Sequence, residues 1–362
     1  MEGRVADWIR PEIRALSAYH VQDASGLIKL DAMENPYTWP EDLRREWLER
    51  LHSLDVNRYP DPQARKLAQE LRSAMQVPPR DMALLLGNGS DEIIQMLALA
   101  VSAPGRSILS VEPGFVMYRM IATWCGMDYV GVPLREDDFS LDMPALLQAI
   151  REHQPALVFL AFPNNPTGNL FAEADMLAVL EAAPCLVVVD EAYAPFAESS
   201  FMSRLGQHDN LLVMRTVSKL GLAGLRLGLL AGPSAWLEEI DKVRMPYNIN
   251  VLTQATARFA LKHHQALDEQ TAAIRRDRQV LFEALQAMDG MVPYPSQANF
   301  ILVRTPAGKA VPLFEALLKD GVLVKKLHGS HPLLEDCLRI TVGRPEENAR
   351  LLEITRRFVD HG

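Results

Sequence analysis

The chain has 362 residues, 48% of them hydrophobic and 23% charged, with a formal net charge of −9. That length supports a sizeable core divided into one large and one small domain, and the negative balance excludes a general nucleic-acid surface, because no basic stripe is present to neutralise phosphates. Cys125, Cys185 and Cys337 are widely spaced and odd in number, which argues for a reducing compartment and against a disulfide framework or a zinc or other metal site.

The N-terminal run Met1-Glu2-Gly3-Arg4-Val5-Ala6-Asp7 lacks the apolar stretch of a secretion signal, and no segment offers about 18 uninterrupted apolar residues. The expectation is a soluble cytoplasmic protein without a membrane partner. No internal repeat or low-complexity tract marks a linker, so domain limits must come from the pattern of elements.

The first informative segment is Leu86-Gly87-Asn88-Gly89-Ser90-Asp91-Glu92. Its glycines allow tight turns, and apolar residues at Ile93, Ile94, Leu97, Ala98 and Val101 follow helical spacing, so a loop opens a helix whose free N–H groups suit a phosphate. The alternative is an ordinary helix start capped by Ser90 or Asp91. Strand-like runs follow at 107–111, 129–133 and 156–162. The last leads into Pro163-Asn164-Asn165-Pro166-Thr167-Gly168, a Pro-bounded turn from which the Asn165 amide can donate to a phenolic oxygen or serve its own backbone. Next, Leu186-Val187-Val188-Val189 ends in Asp190-Glu191-Ala192-Tyr193. An aspartate there either caps a helix or partners a buried cation.

A further strand at 211–215 leads into Thr216-Val217-Ser218-Lys219 and on to Arg226. A lysine offers a nucleophile for an aldehyde cofactor, while Thr216, Ser218 and Arg226 suit that cofactor's phosphate. The alternative is a surface lysine entering a Gly/Ala-rich turn. After about residue 250 helical patterns at 255–261 and 270–288 precede shorter strands at 300–303 and 322–325. The alternation of strands and helices predicts an α/β sheet covered on both faces, with ligands gathered beyond the carboxyl ends of the strands, where Asn165, Asp190 and Lys219 fall. Residues 45–260 form the expected large domain; 1–44 and 261–362 form the small one.

Together these four segments resemble those of fold-type I enzymes dependent on pyridoxal 5′-phosphate (PLP), in the class II aminotransferase family, and most closely the histidinol-phosphate aminotransferases. The resemblance runs over nearly the whole chain, from Ala18-Tyr19-His20 and Leu30-Asp31-Ala32-Met33-Glu34-Asn35-Pro36, through Asn57-Arg58-Tyr59-Pro60, to Cys337-Leu338-Arg339-Ile340-Thr341-Val342-Gly343. It implies a large domain with a mostly parallel central sheet flanked by helices, plus a smaller α+β domain. The implied activity is transamination between histidinol phosphate and 2-oxoglutarate, yielding glutamate, in histidine biosynthesis. Relatives on the same scaffold include aromatic amino-acid transaminases and phosphothreonine decarboxylases. A non-catalytic binding protein that keeps the cofactor is a further alternative, against which the joint retention of Lys219, Asp190, Asn165 and Arg339 counts.

The resemblance also implies roles. Lys219 carries PLP covalently and moves the proton during catalysis; Asp190 pairs with the pyridine nitrogen; Tyr193 and Asn165 hydrogen-bond the 3′-oxygen. Phe115 falls where the family usually has a stacking ring, often tyrosine. The phosphate falls to the backbone of Ser90, Asp91 and Glu92 with Ser218 and Arg226, although the stretch between Lys219 and Arg226 is a residue shorter than the commonest pattern. Tyr59 matches a tyrosine that reaches the neighbouring subunit's cofactor, which implies a homodimer. For substrates, Arg339 matches the arginine gripping the anionic end, Tyr19 a tyrosine near the substrate phosphate, and Asn35 a substrate contact. Lys325 stands where many relatives carry a second arginine, with Lys326 available to share its task.

Overall fold

The computed structural model describes residues 2–18, 21–79 and 81–361. The strands in chain order are β1 (Ile28–Leu30), β2 (Met82–Asn88), β3 (Ser107–Glu112), β4 (Asp128–Pro133), β5 (Leu157–Ala161), β6 (Leu186–Asp190), β7 (Leu211–Thr216), β8 (Leu227–Pro233), β9 (Val292–Pro293), β10 (Phe300–Arg304), β11 (Val322–Lys326) and β12 (Cys337–Thr341). Seven form a sheet in the order β2-β8-β7-β6-β5-β3-β4, and five form a second sheet in the order β1-β11-β12-β10-β9.

The large sheet is parallel except for β8, which runs antiparallel to both β2 and β7. β5 is apolar at every position, and β6 up to Asp190, because both faces are covered. On β5, Leu157 and Phe159 point to one side, where they pack with Ile93 and Leu97 of the helix Ser90–Val101 and Ile121 of the helix Val116–Trp124. Val158 and Leu160 point to the other, against Leu146 and Ile150 of the helix Met143–His153 and Val179 of the helix Glu173–Ala182. Strand side chains alternate with period two, so a strand sandwiched between helix layers must be hydrophobic throughout. Each such side chain contributes about 1.5–3 kcal/mol when fully buried. The chain is therefore α/β with a mostly parallel central sheet.

The smaller sheet pairs β1 in parallel with β11 and is otherwise antiparallel. Helices His264–Gln286, Ala310–Lys319 and Pro345–His361 supply Ile274, Leu281, Leu313, Leu317, Leu351 and Ile354 to its core. The proposed division puts every strand of the large sheet within 45–260 and every strand of the smaller one outside it. β1 explains why the N-terminal segment belongs with the C-terminal part: its backbone completes that sheet's edge.

Some elements depart from the sequence pattern. β8 follows Arg226 directly, and its glycines, Gly228 and Gly232, disguise it as a continuation of the turn. Gly232 is needed because an added Cβ would sit 2.2 Å from Leu212 of β7. The helix expected at 255–261 begins earlier, at Val251, where the Asn250 side chain accepts from Thr253 N at 2.8 Å. The helix expected at 270–288 likewise begins earlier, at His264, and ends at Gln286.

Candidate active site

At the carboxyl ends of the parallel strands lies a cavity, with Met33 of the N-terminal segment on its wall. Its walls bring together the groups that chain order separates: Ser90 and Asp91 after β2, Phe115 after β3, Asn165 after β5, Asp190 at the end of β6 and Tyr193 beyond it, and Thr216, Ser218, Lys219 and Arg226 around β7 and β8.

One end is built for an anion. Gly89, at φ 79°, precedes the helix Ser90–Val101, and no side chain caps that helix. Ser90 and Asp91 therefore stand in its first turn, not at the capping position, which disposes of the ordinary-cap alternative. The uncapped N–H groups and the positive end of the helix dipole favour a phosphate. Two glycines permit the close approach: a Cβ on Gly228 would lie 2.7 Å from Ser90 N, and one on Gly89 would lie 2.6 Å from Arg226 Nη2. The shortened connection makes two tight turns, Ser218–Leu220 and Ala223–Leu225, and places Arg226 in the left-handed region at φ 48°. That conformation costs a non-glycine residue roughly 1–3 kcal/mol, yet it leaves the guanidinium 3.3 Å from the Asp91 carboxylate. Thr216 Oγ1 donates to Ser218 Oγ at 2.9 Å, which positions that hydroxyl. Glu92 does not line the cavity. Its carboxylate turns back to accept from Asn88 N at 2.5 Å and Asn248 Nδ2 at 2.8 Å.

At the other end lies Asp190, the buried last residue of β6. Burial pushes its carboxyl up to about 6, against hydrogen bonds from Tyr118 and the Ala192 N–H that lower it. A carboxylate held at such a cost is stabilised by any cation brought to it, and the helix-cap alternative fails because its side chain faces the cavity. Tyr193 is buried, and its hydroxyl donates to the Met33 sulfur at 3.4 Å, a weak acceptor that an oxygen anion would displace. Burial raises its pKa, so it stays a donor. Asn165 Oδ1 accepts from Arg339 Nη1 at 2.5 Å, which leaves the amide N–H groups of Asn165 as its donors toward a ligand.

Lys219 follows β7 in a short turn, and its Nζ donates to the Ala32 carbonyl at 3.1 Å. Desolvation first, then the nearby Arg339 charge, lowers its pKa to about 8. These features fit PLP: an uncapped helix start with an arginine for its phosphate, a buried acid for its ring nitrogen, donors for its phenolic oxygen, and a partly neutral amine for its aldehyde. The lysine also dictates a pH dependence. Capture of PLP by the apoenzyme needs the neutral amine, so its rate should rise about tenfold per pH unit up to about pH 8 and then level off. Stopped-flow absorbance checks this; a rise continuing beyond pH 10, as for an exposed lysine, contradicts it.

The small sheet supplies cations. Arg339 on β12 pairs in register with Lys325 on β11, so both lie on the face carrying Leu302, which packs into the large unit's core. Arg339 is buried and also donates to the Asp31 carbonyl at 2.9 Å. Lys325 has no hydrogen-bond or ion-pair partner among the described residues. Lys326 cannot share its task, because strand alternation turns it to the opposite face, where its ammonium sits 5.6 Å from the Phe314 ring centre. Three successive carbonyls of the N-terminal segment are thus held from elsewhere: Asp31 by Arg339, Ala32 by Lys219, and Met33 by Asn299 Nδ2 at 2.9 Å.

The Asn35 amide donates to the Leu220 carbonyl and to Gln270 Oε1, both at 3.0 Å, and its oxygen accepts from Tyr37 N at 2.9 Å. These bonds clamp the N-terminal segment to the lysine turn and leave one lone pair on the Asn35 oxygen. Tyr59 lies away from its own chain's cavity, 81% exposed and stacked on Tyr247 at 4.4 Å. Tyr19 falls outside the described residues. Tyr118 and Met33 were missed as site residues; the signal for Tyr118 was its spacing of three from Phe115 at the start of a helix.

Residues 25–354 match the family described as Aminotransferase class I and II. The chain is 59% identical over 350 residues to histidinol-phosphate aminotransferase 2 of Nitrosococcus oceani, covering 97% of each chain. It is 52% identical over 358 residues to the histidinol-phosphate aminotransferase of Chromobacterium violaceum, covering 99% of each. Among solved structures it is similar to the histidinol-phosphate aminotransferase of Sinorhizobium meliloti in complex with pyridoxal 5′-phosphate, with a TM-score of 0.86 at 25% identity over 98% of both chains.

Proposed function

The chain belongs to the class I and II aminotransferases, and from that premise we propose that it uses PLP to move an amino group from L-histidinol phosphate to 2-oxoglutarate, giving imidazole acetol phosphate and glutamate in histidine biosynthesis. The observation that carries this reading is the near-complete, high-identity match to relatives of that name, joined to a cavity that sets Lys219 among Asp190, Asn165 and an anion site.

When bound, PLP supplies an aldehyde carbon that bonds amino groups and a protonated ring that accepts the electrons of the substrate's Cα–H bond. The chain's residues govern the rest. The N–H groups of Ser90, Asp91 and Glu92, with Ser218 and Arg226, hold the phosphate. Asp190 keeps a proton on the ring nitrogen, while Asn165 and Tyr193 donate to the phenolic oxygen. Phe115 offers an aromatic face but no hydroxyl. Lys219 Nζ would be the group that bonds the aldehyde carbon, and it would carry the proton between the substrate's Cα and the C4′ carbon.

Arg339 binds the anionic end of both substrates, as its planar fork suits carboxylate and phosphate alike, and Lys325 adds a point charge for the dianionic phosphate. Loss of a charge-assisted contact costs about 1.5–3 kcal/mol, or roughly 10- to 150-fold in affinity. Arg339→Ala should raise KM by that factor for histidinol phosphate and for glutamate, whereas Lys325→Ala should raise it for histidinol phosphate alone. Steady-state kinetics in both directions measures this, and equal impairment of both substrates by Lys325→Ala contradicts the division.

The whole reading is tested by product analysis with histidinol phosphate and 2-oxoglutarate. Glutamate formation supports it; release of carbon dioxide, or a preference for tyrosine or phenylalanine as donor, assigns the chain to a different reaction. The working unit we propose is a homodimer in the cytoplasm. Exposure of Tyr59, Met245, Tyr247 and Leu252 supports the dimer, and a monomeric mass in light scattering would exclude it. No described helix is long and apolar enough to cross a membrane.

A further inference from the structure

Asp190 is gripped from the large domain's interior by an aromatic hydroxyl. Tyr118 Oη donates to Asp190 Oδ2 at 2.6 Å, while Ala192 N donates to Oδ1 at 3.0 Å. Donors on both oxygens fix the plane of the carboxylate and still leave it lone pairs for a third donor. Tyr118 is itself immobile. It is 1% exposed, its ring stacks on Phe159 of β5 at 4.6 Å and 12°, and it meets Phe115 edge-on at 5.5 Å and 86°. Desolvation and the neighbouring carboxylate push its own pKa well up, so it remains a proton donor.

The other titratable groups facing Asp190 are Asp91, Glu191 and Tyr193. Glu191 is paired with Arg215 at 2.8 Å, Asp91 with Arg226 at 3.3 Å, and the Tyr193 hydroxyl bonds Met33. Tyr118 alone among them touches the carboxylate. Because Phe115 and Tyr118 sit three residues apart at the start of one helix, the element that lines the cavity with an aromatic ring also holds the acid at its end.

We propose that Tyr118 is a positioning residue for the coenzyme, whose hydroxyl keeps the Asp190 carboxylate ionised and aligned and thereby keeps the pyridine nitrogen protonated at working pH. This rests on the coenzyme reading of the cavity, and the experiment separates the two. Wild-type and Tyr118→Phe apoenzymes are each loaded with PLP carrying 15N in the ring, and the nitrogen's chemical shift is followed with pH. Phenylalanine preserves both ring contacts and removes only the hydroxyl. In the variant the ring nitrogen should lose its proton about one pH unit or more lower than in the wild type, and kcat should fall roughly 10- to 150-fold, with KM changed less than about threefold. In an Asp190→Asn background, Tyr118→Phe should change kcat by less than about threefold, since no carboxylate is left to stabilise. Incorporation of 3,5-difluorotyrosine at position 118 keeps the fold and strengthens the donor, so it should shift the nitrogen titration the opposite way. Identical titrations in wild type and both variants, or an equal loss of kcat in the two backgrounds, overturns the role of Tyr118. Failure of wild-type protein to bind PLP at all overturns the functional reading instead.

Discussion

Replacing Lys219 with alanine should lower kcat for transamination about 10⁴-fold, the upper end of what a positioned acid–base group contributes. Two losses combine at one atom: the amine that holds the aldehyde carbon and the carrier of the Cα proton. The variant should still bind PLP, because the anion site around Ser90, Ser218 and Arg226 is untouched. Borohydride treatment of the wild-type holoenzyme should fix the coenzyme to Lys219, which peptide mass mapping locates. An adduct on another lysine, or wild-type turnover by Lys219→Ala, shows the assignment to be wrong.

Asp190→Ala is expected to reduce kcat by about 10²- to 10³-fold, the range seen when a preorganised electrostatic partner is removed. Coenzyme affinity should fall much less, as the phosphate contacts lie at the opposite end of the cavity. The free protein should respond in the other direction. With its pKa raised to about 6, Asp190 binds a proton more tightly folded than unfolded, so its contribution to stability is full below the unfolded value and lost as pH rises through 6. Asp190→Asn apoenzyme should therefore lose less stability than wild type between pH 4 and pH 7 in parallel urea melts. Unchanged turnover in Asp190→Ala, or equal pH slopes in the melts, removes the acid from its proposed place.

How far the site was legible depended on how local its signals were. Asp190, Asn165 and Lys219 each end or follow an apolar run, and a parallel sheet carries all such ends to one edge; strand pattern alone therefore brought them together. The resemblance supplied Arg339, Tyr59 and Lys325, which no spacing connects to the sheet. The clamp made by Asn35 was not legible because its partners, Leu220 and Gln270, lie 185 and 235 residues away. Tyr118 was hidden for a related reason: in a helix it reads as one more core aromatic, and only its stacking on Phe159 of β5 carries its hydroxyl to Asp190. β8 was missed because glycines chosen for close packing weaken a strand's local pattern.

The bond from Arg339 to the Asp31 carbonyl joins residues 308 apart in the chain. On a ribosome the seven strands of the large sheet and the anion loop have all been made once β8 has emerged, but Arg339 is made 113 residues after Arg226 (339 − 226). The N-terminal segment must wait as well, because β1 has no edge to join until β11 is synthesised. The residues of the anion loop are thus made well before Arg339, while Met33, which lines the same cavity, follows a strand that stays unpaired until β11 is made.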